Sequence, residues 1–369
     1  MILLIEITRG MAALWVFLFH VRDMFRESSP AIFQLAGYGS LGVPMFFVIS
    51  GYVITYSAES CIKANHPASE FLKKRCLRIY PAFWASVCVV LAAPWVIAAI
   101  SMLKSGSFQP PETLLSRYDL GEWVNFLLLT KVFFSSDGDL QGEFNAINSV
   151  YWSLAIEMQF YIVIFVFLCL RKYYKGLIFL LTLCSLVSLV YPFDVNAGFF
   201  IHFWPMFASG IALAYMHKNG FQLERLFRKH PLLVSACLAF CLAAAARMSF
   251  AAERAGSFSF AVLFTLALWI SSPWEGVLAN LKKIDNGRYR WLMEPFLILG
   301  TMSYSIYLLH GKIHQIPNMF VRQVVGEDSV IHGMGTMVLT LMLCFLFYLA
   351  IERRFISKNY ANIHKQTLA

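Results

Sequence analysis

The chain has 369 residues, 59% of them hydrophobic and only 14% charged, with a mean hydropathy of +0.63. A soluble domain carries nearer a quarter charged residues, so this composition excludes an ordinary water-soluble enzyme and points to the bilayer as solvent. The net charge of +9 does not indicate a nucleic-acid partner, because the basic residues sit in alternate connections between apolar runs rather than on one basic domain.

Apolar runs of roughly 17–25 residues, each long enough to cross a membrane, predict helices near 2–21, 39–57, 81–100, 149–169, 176–191, 197–216, 231–247, 257–272, 296–311 and 333–351. The expected fold is an all-α integral membrane protein of about ten transmembrane helices. Most of the 30 Lys and Arg fall on the side holding Arg9, Lys63–Arg78, Arg171–Lys175, Lys218–Lys229, Lys282–Arg290 and the segment from Arg353. Positive loops stay inside, which puts both termini in the cytoplasm. One transmembrane domain over 1–355 and a short cytoplasmic tail over 356–369 follow, with no appended soluble domain.

The first run is interrupted by Glu6, Arg9 and His20 and lacks a basic lead-in, so it reads as a span rather than a cleaved signal. The eight cysteines form no C-x-x-C pair and read as small packing residues, not as a disulfide framework or metal site. The connection over 101–148 is too long to be a simple loop and is expected outside. Within it, GEWVNFLLLTKVFF is expected to lie amphipathic or re-entrant at the interface, and Asp137, Asp139 and Glu143 are where contacts to a polar ligand would be sought.

Ionisable groups inside spans are costly and therefore functional candidates. In the first helix Arg9 and His20 lie eleven positions apart, three turns plus about 20°, so they share a face about 16 Å apart along the axis. A cation near the cytoplasm thus aligns with an imidazole towards the outside, which suits a long substrate with an anionic head and a reactive far end. The plain alternative is a snorkelling arginine and a structural histidine. In the second helix, Ser50 and Gly51 would admit a thin substrate or, more simply, a packed helix. FLKKRCLRIYPAFW follows on the inner side, where Arg75 and Arg78 read either as topology-setting charge or as a fork of donors for phosphates. In VYWSLAIEMQFYIVIF, Ser153, Glu157 and Tyr161 make a polar stripe. The buried carboxylate must find a partner, either His20 or a structural hydrogen bond. In GTMSYSIYLLHGKI, Ser303, Tyr307 and His310 share one face, and an interfacial histidine is the simple reading of His310.

Taken together, Arg9 and His20 with ten residues between them, FFVISGYVIT, RCLRIYPAFW, VYWSLAIEMQFY and SYSIYLLH resemble the motifs of the membrane acyltransferase-3 family in family order. Departures are Ile5-Glu6 where the family usually has Leu-Asp, Ile164-Phe165 in place of a proline, and Glu352-Arg353-Arg354 in place of Glu-Arg-Pro. The resemblance implies a bacterial inner-membrane O-acyltransferase that takes an acyl group, most often acetyl, from acyl-CoA to a hydroxyl of a cell-surface or lipid-linked saccharide. It implies no tightly bound cofactor, with acetyl-CoA as co-substrate. On that reading Arg9, Arg75 and Arg78 bind acyl-CoA, and His20 is catalytic with Glu157 tuning it. Ser50, Gly51, Ser153, Tyr161, Ser303, Tyr307 and His310 are expected to line the pore. The rival reading is a transporter or flippase of a lipid-linked saccharide, which would not consume acyl-CoA.

Overall fold

The computed structural model describes residues 2–112, 114–134, 142–191, 196–220, 253–278, 290–327 and 329–356, and every regular element among them is helical. In chain order these are α1 (Ile2–His20), α2 (Pro30–Gly37), α3 (Gly42–Lys63), α4 (Ala68–Ser105), α5 (Leu120–Leu127), α6 (Tyr151–Cys169), α7 (Tyr174–Val190), α8 (Trp204–Lys218), α9 (Glu253–Ser271), α10 (Arg290–Thr301), α11 (Ser303–Ile313), α12 (Gln315–Val325) and α13 (Val330–Ala350), besides the single turn Gly142–Asn145 and a few short 3-10 turns. Six helical stretches among the described residues are long and apolar enough to cross a membrane, and Gly256–Ser271 is a shorter apolar helix. The chain is therefore a multi-pass membrane protein. The helix expected over 231–247 lies outside the described residues, as do Asp137, Asp139, the Glu143 side chain and the tail beyond 356.

Two expected boundaries move for physical reasons. The third span begins at Ala68, not near 81, so Lys73, Lys74, Arg75 and Arg78 lie on helix rather than in a loop. Pro67 ahead of the helix and Glu70 in its first turn are helix-start signals. The buried stripe Phe71, Ile79, Ala82 and Phe83 recurs at helical spacing through the basic segment. The helix then continues through Pro81 and Pro94. The span expected over 296–311 is two helices, α10 and α11, interrupted at Met302. Short α2 and α12 fill stretches expected as loop.

The helices form two compact units. The first comprises Met1–Ala12, Leu41–Phe71 and Ile156–Thr301. Its centre is the crossing of α3 and α8, with α9 packed on both and α7 against α8. A Cβ on Gly51 would fall on the Phe207 carbonyl, and one on Gly210 on the Val48 carbonyl. The two backbones touch because neither residue has a side chain, the small-residue packing that membrane helices favour. Beside this crossing Phe160 stacks on Phe207 at 4.4 Å between ring centroids, and Trp204 donates its indole N–H to the Thr182 hydroxyl at 3.0 Å. At the start of α1, the backbone N–H groups of Leu3 and Leu4 donate to the Glu275 carboxylate at 2.9 and 3.0 Å. A carboxylate there satisfies donors that a helix N-terminus leaves open.

The second unit comprises Ala13–Ser40, Leu72–Ala155 and Met302–Ala369. Here α11 and α12 pack against α13. The Asn148 amide donates to the Leu308 carbonyl at 2.9 Å, and the bare face of Gly311 accommodates the Asn148 side chain. The segment GEWVNFLLLTKVFF folds onto α4: the Tyr80 hydroxyl and the Trp84 indole N–H donate to the carbonyls of Leu128 and Leu127, each at 3.0 Å. Asp119 and Glu122 form a capping box at the start of α5. Lys131, buried beneath Tyr118, donates to Glu122 at 3.0 Å. That hydrogen bond, with the Asp119 backbone N–H, holds the Glu122 carboxyl below its ordinary range.

Candidate functional site

The last residue of α1 is His20, half-buried, and its ring meets His310 edge-on at 5.0 Å between centroids. His310 comes from the last turns of α11 and is fully buried, with Phe17 at 5.7 Å and Tyr307 at 5.9 Å around it. The Tyr307 hydroxyl donates to the Val150 carbonyl at 2.5 Å and is also hydrogen-bonded to Ser153. The second unit thus brings together His20, His310, Tyr307 and Ser153, four of the residues singled out in the sequence. Ser303 is buried at the start of α11.

In the first unit Glu157 receives the Ser50 hydroxyl at 2.5 Å and the Tyr161 hydroxyl on the same carboxylate oxygen. The stripe read on α6 therefore divides: Glu157 and Tyr161 join Ser50 of α3, whereas Ser153 joins Tyr307. The neighbouring Gly51 is where α8 passes, as described above. Arg9 pairs with the buried Glu6 one turn earlier at 3.2 Å. The carboxylate kept by Ile5-Glu6 thus holds the arginine in place.

The basic turns of α4 carry a feature that sequence reasoning missed. Arg78 reaches Glu352, at the end of α13, at 2.8 Å, and its guanidinium lies over the Tyr304 ring at 5.4 Å. Glu352 is 1% exposed and also receives the Ser305 backbone N–H at 3.0 Å and its hydroxyl at 2.5 Å. The signal was a lone carboxylate closing a 21-residue apolar helix beside two arginines, a position where a buried charge needs a partner. Arg75, half-buried, lies three positions before Arg78 on α4, so two guanidiniums share one face. Planar forks of donors in that arrangement match phosphate oxygens.

Among the described residues of this multi-pass helical membrane protein, one unit holds a histidine pair and the other a carboxylate–hydroxyl cluster. The acyltransferase domain family matches residues 2–349, and the chain belongs to it: it is a membrane acyltransferase of the acyltransferase-3 type. It is 27% identical over 362 residues to a Komagataeibacter xylinus protein carrying the provisional name membrane-bound transacylase BcsY, covering 94% of this chain and 80% of that one. It is 27% identical over 382 residues to the O-acetyltransferase OatA of Staphylococcus aureus, covering 95% of this chain and 57% of OatA. The chain thus spans most of BcsY but little more than half of OatA. No solved structure matches it.

Proposed function

We propose that the chain transfers an acetyl group from acetyl-CoA, taken from the cytoplasmic side, to a hydroxyl of a cell-surface or lipid-linked saccharide. It does so in the bacterial inner membrane, on ten spans with both termini inside and the short tail after 355 in the cytoplasm. The observation that carries the reading is His20: an imidazole closing an apolar helix, against a second, buried imidazole, in a chain of an acyltransferase family. The name O-acetyltransferase borne by OatA supports acetyl as the group and oxygen as its acceptor.

Arg75 and Arg78 bind the CoA phosphates and Arg9 holds the pantetheine arm. His20 acts in one of two ways. As general base it takes the acceptor hydroxyl proton while the oxygen attacks the thioester carbonyl. The carbon–sulfur bond breaks, and the departing thiolate recovers that proton from the imidazolium. As acyl carrier its ring nitrogen attacks first, releasing CoA thiolate; the acceptor oxygen then takes the acyl group as the carbon–nitrogen bond breaks, and the hydroxyl proton passes to the freed ring nitrogen and on to the thiolate. Ser303, Tyr307, Ser153 and His310 belong to the wall of the path around His20; Gly51 packs against α8 instead, and Glu157, held by Ser50 and Tyr161, is a second polar centre that tunes the chemistry of its own unit.

The test is acetyl-CoA binding and free-thiol release by the purified protein in detergent. Bound donor with CoA release supports the reading; a protein that neither binds nor consumes acetyl-CoA returns the transporter reading to the front. Glu157→Gln should lower kcat severalfold and leave donor Kd unchanged, and equal rates would make Glu157 structural. Arg75→Ala should raise the donor KM without loss of protein. Arg78→Ala should do the same and also destabilise the fold by on the order of 3 kcal/mol, because it strands buried Glu352. Thermal unfolding of the two variants beside their donor titrations separates these effects. If both change only abundance, the arginines serve topology alone.

A further inference from the structure

The pairing of His310 with His20 is asymmetric, and its asymmetry is chemical. Nδ1 of His310 lies 2.9 Å from the Ile306 carbonyl oxygen, one turn back on α11. A carbonyl oxygen only accepts, so Nδ1 carries the proton, and in the neutral ring Nε2 carries the lone pair. That Nε2 is sealed from solvent and has no hydrogen-bond partner among the described residues. A buried acceptor left unsatisfied costs stability, and such orphans in native structures call for an explanation. The neighbouring ring is His20, at 5.0 Å.

Among the described residues no side chain donates to Nε2 of His310. Its other close rings are Phe17, which has no donor, and Tyr307, whose hydroxyl is committed to Val150 and Ser153. The carbonyl of His310 receives Nδ1–H of His314 at 2.8 Å, so the local backbone is tied down as well. His310 is therefore a ring locked in one tautomer, with a fixed lone pair beside a half-buried histidine at the end of its helix.

We infer that His310 is a positioning residue for His20: its Nε2 accepts the N–H of the His20 ring when that ring turns about χ2, and so fixes which His20 nitrogen presents a lone pair. This rests on the reading of His20 as the reacting imidazole. The arrangement has the logic of an oriented base, in which a third group holds the imidazole in the productive tautomer. Here the orienting group is a neutral imidazole tethered to a main-chain carbonyl rather than a carboxylate. It serves His20 equally as base or as acyl carrier, since both need the same lone pair free.

Two substitutions separate positioning from packing. His310→Leu fills the site and removes the acceptor, whereas His310→Gln replaces the ring with a side chain whose amide oxygen can accept near the Nε2 position. With acetyl-CoA as donor, His310→Leu should lower kcat at least 100-fold with donor Kd unchanged, and His310→Gln should recover at least tenfold of that loss. Nitrogen-15 histidine spectra of the purified protein give a readout that needs no turnover. His20 should populate one tautomer in the wild type and in His310→Gln, and a mixture in His310→Leu. Unchanged His20 spectra in His310→Leu overturn the inference, as does equal kcat in the two variants at equal folded protein. A wild type that shows the tautomer effect but never uses acetyl-CoA would leave the positioning intact and discard the acyl-CoA reading.

Discussion

His20→Ala should lower acetyl transfer by about 10²–10⁴-fold, the range contributed by a positioned general base, while the protein stays folded and binds acetyl-CoA as before. His20 is the last residue of α1, and alanine is the best helix former, so the helix loses nothing in propensity. The remaining core of that stretch, Ala12, Ala13, Val16 and Phe17, is buried independently of the imidazole. The change therefore removes a proton acceptor or nucleophile and little else. Turnover and donor Kd, measured on the same monodisperse preparation, read this out. Full turnover would take His20 out of the mechanism, and loss of donor binding together with turnover would give it a binding role instead.

The second large effect lies in the fold. Gly51→Val, or Gly210→Val, should destabilise the protein by about 3 kcal/mol or more, the upper end of what overpacking costs. The colliding atoms are main-chain carbonyls, of Phe207 and Val48, which cannot swing aside as a side chain would. Relief requires α3 and α8 to part, and with them the packing next to the Ser50–Glu157 hydrogen bond. Gly176 in α7 has nothing within 4 Å of its Cβ direction, so Gly176→Ala is a matched control that should leave stability unchanged or slightly raised. Thermal aggregation in detergent ranks the three. Equal melting of Gly51→Val and Gly176→Ala would contradict the close crossing.

Six of the ten expected spans were legible because hydropathy over a window reports them directly, and α6, α7 and α13 lie within a few residues of their expected limits. The start of α4 was obscured by its charges. Lys73, Lys74, Arg75 and Arg78 pull down a hydropathy window although Phe71, Ile79 and Ala82 keep helical period through them. The interruption at Met302 carries no proline, and a window average cannot see a local break in hydrogen bonding. At the candidate site, sequence spacing identified side chains sharing a helix face, as with Tyr307 and His310. It could not identify partners across helices: nothing along the chain couples position 20 to 310, 50 to 157 or 78 to 352. Those three pairings are tertiary facts, and they divide the polar residues into clusters that no single motif contains. Family resemblance supplied the class of enzyme, and the cross-helix contacts supplied the neighbours.

The most direct measurement is a side-by-side assay of purified wild type and His20→Ala with isotope-labelled acetyl-CoA, recording bound donor and released CoA thiol. The account predicts that both proteins bind the donor and only the wild type releases CoA. Failure of both to bind acetyl-CoA would contradict it.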